Sequence, residues 1–126
     1  MKQIISTPLA PAPIGPYNQA ILSGDTLYIS GQIPMNPETG ELVSGDIKEE
    51  TRMVMHNLRA ILAAADLTFE HVVKSSIFLS DMNTFADVNA VYGEFFNEKT
   101  APARETVEVA NLPKFVNVEI SMIAIL

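Results

Sequence analysis

Three segments of this chain carry the residues best suited to chemistry. In the first, Arg104 follows Ala101-Pro102-Ala103 and opens a β-like run, Glu105-Thr106-Val107-Glu108-Val109. The proline fixes the entry to that run, and the small residues beside it leave room for a ligand. A guanidinium held on a strand is a rigid two-pronged donor to a carboxylate or phosphate. Its ordinary alternative is a strand-end arginine paired to a surface acid. Strand alternation puts Thr106 on the same side as Arg104. The second segment is Ile14-Gly15-Pro16-Tyr17-Asn18-Gln19-Ala20. Gly15 and Pro16 force a turn that offers the Tyr17 hydroxyl near the start of a strand; a turn with a packing tyrosine fits the same residues. The third is Ser30-Gly31-Gln32-Ile33-Pro34, expected just past a strand end. Gly31 lets its backbone N–H approach a ligand closely, and the alternative is a strand-terminating bulge.

Two more polar residues belong with these. Asn89 sits between apolar neighbours of an expected helix and reads as a buried amide that must be satisfied, so it either ties helix to backbone, the packing default, or reaches a ligand. Glu119 either pairs with Arg104 from a neighbouring strand or positions water and moves protons at an adjusted pKa. His56 and His71 fall on different elements with no ligand cluster, so no metal site is expected. Ser30 and Ser80 lack an evident His–Asp pair, and neither a P-loop nor a dinucleotide fingerprint is present.

The elements that must position these groups follow from periodicity. Met1–Ile5 reads as a short strand. Thr7 to Gly15, with Pro16 just beyond, holds Pro8, Pro11, Pro13 and Pro16 and reads as an extended covering loop. Gln19–Leu22 and Thr26–Ser30 flank the hairpin signal Ser23-Gly24-Asp25. Pro34 to Gly45 is rich in turns. Asp46, with Glu49 three residues on, opens a helix as a capping box. Ile47, Val54, Met55, Leu58, Ile61, Leu62 and Ala65 give that helix one apolar face. His71–Ser80 reads as a strand with Val73, Ile77 and Leu79 inward. A second helix begins near Asn83, with Phe85, Val88, Tyr92, Phe95 and Phe96 as its stripe. Arg104–Val109 and Val116–Leu126 read as strands.

In the last strand Val116, Val118, Ile120, Met122, Ala124 and Leu126 point one way. Asn117, Glu119, Ser121, Ile123 and Ile125 point the other. Two helices can cover one face of such a sheet. The opposite face would leave Ile123 and Ile125 in an exposed apolar patch, so it is expected to be closed by other subunits. A ring of three sheets and a dimer both satisfy the periodicity.

Composition narrows the function classes. The 126 residues suit one domain, 1–126, with 48% hydrophobic and 18% charged content. The absence of cysteine excludes disulfides and thiolate metal sites, and a cytoplasmic setting is the expectation. The N-terminus lacks the apolar core of a signal peptide, and no stretch approaches the roughly 18 apolar residues of a membrane span. A net charge of −7 opposes non-specific binding to nucleic acid or anionic membrane.

Taken in order, the residues resemble the YjgF/RidA family, the reactive-intermediate (enamine/imine) deaminases. The resemblance rests on Ile14-Gly15-Pro16-Tyr17, Leu27-Tyr28-Ile29-Ser30-Gly31-Gln32-Ile33-Pro34, Thr39-Gly40 and Gly45-Asp46-Ile47. It continues through Val72-Val73-Lys74, Asp81-Met82, Phe85 and Val88-Asn89-Ala90-Val91-Tyr92. Pro102-Ala103-Arg104, Leu112-Pro113-Lys114 and Val118-Glu119-Ile120 complete it. It implies an α+β, chorismate-mutase-like fold, a mixed β-sheet with two helices on one face, assembled as a homotrimer with interfacial clefts. It also implies hydrolysis of 2-imino acids and their enamine tautomers, such as 2-aminoacrylate, to 2-keto acids and ammonia. No metal or organic cofactor is called for.

By that resemblance Arg104 anchors the substrate carboxylate, and Tyr17, Ser30, Gly31, Asn89, Thr106 and Glu119 surround the cleft. Arg104, Glu119 and Tyr17 are the catalytic candidates: anchor, proton-transfer group and pocket closure. Ser30, Gly31, Asn89 and Thr106 are the substrate-binding candidates. Thr106 replaces a residue that is often cysteine. Glu105 departs from the small residue usual after the arginine, and alternation should turn it away. The competing readings are a non-catalytic small-molecule sensor and an RNA-cleaving translation inhibitor of the same family. The acidic balance and the lack of a histidine pair argue against the second.

Overall fold

A computed structural model describes residues 1–126. Six strands form one sheet: β1 (Lys2–Ile5), β2 (Ala20–Ser23), β3 (Thr26–Gln32), β4 (Val72–Leu79), β5 (Ala103–Glu108) and β6 (Val118–Ile125). The order is β1-β2-β3-β6-β4-β5, antiparallel throughout except for the parallel β4–β5 pair. The parallel pair needs a crossover, and helix α2 (Phe85–Gly93) supplies it. Helix α1 (Ile47–Ala64) links β3 to β4. Both helices pack on one face, as the sequence periodicity indicates.

That face holds the core. Val118, Ile120, Met122 and Ala124 of β6 are buried there with Leu27 and Ile29 of β3 and Ile77 and Leu79 of β4. Val54, Met55, Leu58, Ile61 and Leu62 of α1 close over them. Asp46 caps α1, but its carboxylate accepts from the Lys48 amide at 2.9 Å. Glu49 does not complete a capping box; it pairs with Arg52 at 3.1 Å. α2 starts at Phe85 rather than Asn83. Asp81 caps a 3-10 turn, Met82–Thr84, that takes up the entry. Phe95 and Phe96 lie beyond the end of α2 and pack edge-on around Phe69. The last strand begins at Val118 because Pro113–Phe115 forms a turn in which Lys114 and Phe115 have φ of 55° and 56°.

Val73 is a correction. Alternation reads it as inward, yet it is 47% exposed, while Val72 and Ser75 are buried. The register of β4 against β6 shifts between Val72 and Lys74, so a bulge changes the parity of the strand.

The other face carries a mixed surface. Ile4, Ile21, Tyr28 and Ile123 are successive register partners across β1, β2, β3 and β6. They form an apolar row in which Ile4 and Tyr28 are more than half exposed. Ile123 and Ile125 are half-buried. Glu105 also points to this face, where it pairs with Lys74 at 3.0 Å and accepts from Ser76.

The proline-rich segment is tied to the start of β2 by one side chain. Gln19 is buried, its Oε1 accepts from the Thr7 amide at 2.7 Å, and its Nε2 donates to the carbonyls of Thr7, Ala10 and Pro11. Replacing this amide by an apolar group strips the partners from backbone groups that are only partly reachable by water. Gln19→Leu is expected to lower unfolding free energy by roughly 2 kcal/mol. Urea denaturation should show a lower midpoint at unchanged slope, with new proteolytic cleavage between Thr7 and Pro16.

Candidate functional site

Arg104 lies near the start of edge strand β5, in register with Ser75 of β4. Ser75 faces the helices, where its hydroxyl accepts from Tyr92 of α2 at 2.9 Å. Arg104 therefore also projects to the helical face. Its guanidinium carbon lies 5.0 Å from the Tyr92 ring centre and 5.7 Å from that of Phe85. Its Nη1 donates to Asn89 Oδ1 at 2.8 Å. It forms no ion pair with any carboxylate of the chain. Asn89, Tyr92, Phe96, Glu98, Pro102 and Arg104 line an open cleft of about 580 Å³.

The expectation of a buried Asn89 amide is thus corrected. Asn89 is exposed on α2, and its partner is Arg104, not backbone. The surface-acid alternative for Arg104 also fails, because Glu105 is engaged with Lys74 on the opposite face. Thr106 follows two residues along on Arg104's side. Its Oγ1 is buried and has no hydrogen-bond partner, an uncommon condition in a native interior.

A second cleft, of about 320 Å³, lies elsewhere. It is lined by Ile14, Tyr17, Ser30, Gly31, Ile33, Pro113 and Glu119. Glu119 is on β6, in register with Phe78 of β4. Its neighbours Val118 and Ile120 are fully buried toward the helices, so Glu119 points away from them. The carboxylate is half-buried and accepts no hydrogen bond. Burial holds its pKa above the ordinary 4.5, because the charged form loses hydration without gaining a donor.

Gly31 is what makes room for that carboxylate. The register of β3 against β6 shifts between Ile29 and Gln32, so Ser30 and Gly31 form a bulge within β3 rather than ending it. A Cβ on Gly31 would stand 2.5 Å from Glu119 Oε2 and 2.7 Å from its Cδ. Only glycine permits both residues in this arrangement. Ser30 Oγ donates to the Asn18 carbonyl at 2.6 Å and so joins the bulge to the Tyr17 turn. Tyr17 is 47% exposed, and its hydroxyl accepts from the Ile14 amide at 3.4 Å. Asn57 of α1 donates to the Ile33 and Met35 carbonyls and fixes the far wall.

The structure therefore gathers the expected residues into two groups. Arg104, Asn89 and Thr106 form one; Tyr17, Ser30, Gly31 and Glu119 form the other. Within one chain they do not meet. β4 separates β5 from β6, two strand spacings of about 10 Å in all, and the groups face opposite sides of the sheet. A direct Arg104–Glu119 pair from adjacent strands is thereby excluded within the protomer. Neither histidine lines either cleft: His56 packs edge-on to Phe95, and His71 Nδ1 accepts from the Thr68 amide.

Sequence reasoning missed Tyr92 and Phe85 as partners of Arg104. The available signal was spacing. Phe85, Asn89 and Tyr92 stand at i, i+4 and i+7, on one face of α2 with no acid among them.

Comparison with known proteins agrees with this architecture. The family model described as endoribonuclease L-PSP matches residues 7–126. A RutC family protein of Pyrococcus horikoshii is 54% identical over 124 residues, spanning 98% of each chain. A 2-iminobutanoate/2-iminopropanoate deaminase of Dermatophagoides farinae is 48% identical, over 99% of this chain and 97% of that one. The crystal structure of E. coli TdcF with bound serine superposes with a TM-score of 0.92 at 43% identity, over 98% of both chains. With the motifs, the sheet order and these relatives in agreement, the chain belongs to the YjgF/RidA/RutC family.

Proposed function

We propose that this protein is a hydrolytic deaminase of 2-imino acids and their enamine tautomers, yielding 2-keto acids and ammonia. The observation that carries the reading is Arg104, an arginine in an open cleft with no carboxylate partner in its own chain. Such a guanidinium is a binding site for a small anion. The deaminase name borne by a mite relative at 48% identity supports the imine class, and serine bound to TdcF supports a ligand with an α-carboxylate.

A small imino acid cannot bridge two clefts on opposite faces of one sheet. The Arg104 group of one copy must meet the Glu119 group of another, and a homotrimer with three interfacial clefts is the proposed assembly. The row Ile4, Ile21, Tyr28 and Ile123 gives the uncovered face a reason to be buried.

In this arrangement Arg104 holds the carboxylate, and the Gly31 N–H approaches it from the other copy. Tyr17 closes the pocket. Glu119, ionised, takes a proton from a water that adds to the C=N carbon. Glu119 passes that proton to the nitrogen, giving the carbinolamine; it then carries the carbinol hydroxyl proton to the amino group, and the C–N bond breaks to release ammonia as the C=O bond forms. For an enamine, protonation at the β-carbon comes first. Imines hydrolyse readily, so acid–base help of ~10²–10⁴-fold suffices. No metal or organic cofactor enters this scheme.

RNA cleavage is the alternative named by the family model's description. The net charge of −7 and the position of both histidines outside the clefts weigh against it. A sensor without turnover uses the same anchor, and turnover itself separates the two.

Arg104→Lys keeps the charge but loses the planar fork. It is expected to lower kcat/KM for an enzymatically generated imine by roughly 10- to 100-fold. Arg104→Ala should be worse, with melting temperature little changed for either because the side chain is exposed. A folded Arg104→Ala protein with native activity refutes the anchor. Glu119 is expected to give an acid limb. Its folded pKa lies above 4.5, so activity should fall as pH drops through that raised value. The limb should vanish in Glu119→Gln together with most of the turnover; a limb retained in that variant assigns the proton step elsewhere. Light scattering should give three times the 13.8 kDa chain mass; a stable monomer at micromolar concentration sinks the shared cleft.

A further inference from the structure

We infer that Asn89 and Tyr92 are positioning residues that form a charge-neutral cradle for Arg104, orienting the guanidinium while leaving its charge and the rest of its fork for a ligand. The inference rests on the proposed anchoring of a carboxylate by Arg104 and extends it to the groups behind the anchor.

Arg104 is an exposed arginine. Such a side chain is long, flexible and drawn to the nearest carboxylate, and ordering it costs side-chain entropy. This chain is rich in acids: 15 against eight lysines and arginines. Arg52, the other arginine with hydrogen-bonded partners, takes two of them, Glu49 at 3.1 Å and Glu94 at 2.6 Å. Arg104 takes none. Its three contacts are the Asn89 amide oxygen at 2.8 Å and the faces of Tyr92 and Phe85. An amide oxygen and a π face both attract a cation without cancelling its charge. Glu98, on the same cleft, forms no ion pair with it.

The cradle is itself braced. Tyr92 is 5% exposed, and its hydroxyl donates to Ser75, the residue beside Arg104 in the ladder. The ring is thus tied to the strand that carries the arginine. Burial raises the phenol's pKa from 10.0, so the cradle stays neutral at working pH. Asn89 needs no burial to do its part. It stands one helical turn from Tyr92 and one from Phe85, so α2 sets all three distances together. With Nη1 on Asn89, the guanidinium makes no other hydrogen bond in the protomer. The remaining donors can take a carboxylate in the plane of the fork.

The decisive variant is Asn89→Asp. It is isosteric and exposed, so the fold should hold, but it replaces the neutral acceptor by a carboxylate at the same distance. The new ion pair competes with the ligand. Calorimetry with 2-oxobutanoate as probe should show affinity reduced roughly tenfold or more, with KM for imine rising in step and kcat less affected. Asn89→Ala removes the bond without adding charge and should cost less, about threefold. Tyr92→Phe keeps the ring and should bind within about threefold of the native protein. Tyr92→Leu, if folded by circular dichroism, should lose roughly threefold to tenfold; if it unfolds, the Asn89 pair decides alone. A merely structural Asn89 would move melting temperature and would not separate Asp from Ala. Folded Asn89→Asp protein with native affinity and KM overturns the cradle. If the native protein binds 2-oxobutanoate through Arg104 but hydrolyses no imine, the deaminase reading falls and the cradle stands. If it binds no 2-oxobutanoate, both fall.

Discussion

Strand β6 lies between β3 and β4, and alternate side chains along it are committed to the helices. Val118, Ile120, Met122 and Ala124 are almost wholly buried there. A slip of one residue would move four apolar side chains to the other face, so the register is strongly fixed. The position of Glu119 follows directly. It stands between two fully buried residues and can only face away from the helices. On β5, the parallel ladder places Arg104 beside Ser75, which the core also commits to the helical side. Core packing, not any direct interaction, sets the two charged groups on opposite faces. A reaction that needs both groups cannot be completed within one protomer.

Electrostatics then decides which charges are free. Lys74 and Glu105 neutralise each other across the open face, and the exposed pair contributes little to stability. Its effect is to occupy an acid one residue from Arg104. Strand alternation does the rest, since adjacent residues on β5 point to opposite faces. An acidic chain thereby keeps one uncompensated guanidinium in a cleft. Elsewhere its negative surface repels polyanions.

Much of this was legible in the residues. The order of strands and helices, the apolar face of α1 and the parity of β6 all follow from periodicity, because each rests on a local repeat long enough to count. The motifs around Tyr17, Gly31, Arg104 and Glu119 marked the residues that line the two clefts. What could not be read was which of them meet. Sheet order is a non-local property, and no residue pattern signals that β4 intervenes between β5 and β6. Bulges were also silent. The shift at Val72–Lys74 exposed Val73, and the shift at Ile29–Gln32 carried Gly31 under Glu119. Each inserts one residue without changing composition. Asn89 read as buried because its neighbours are apolar, but Val88 and Val91 face inward while Asn89 turns to the cleft.

Two carboxylates of the fold have pKa values raised by burial, and the contrast between them separates structure from chemistry. Glu50 on α1 is 3% exposed, and Asn117 donates to it at 3.1 Å. Asn117 in turn accepts from Ser80 at 2.9 Å, so Glu50 joins the start of α1 to the end of β4 through a closed chain of bonds. Burial still outweighs that donor and lifts its pKa. Its carboxylate is held inside that network by the Asn117 amide. Burial also raises the pKa of Glu119, but this group has no donor inside the protein and a cleft in front of it. A carboxylate that the fold desolvates and leaves unpartnered is costly unless something else binds it. Its partner has to come from outside the protomer. Gly31 preserves this state, because a Cβ there would crowd the Glu119 carboxylate and force it aside.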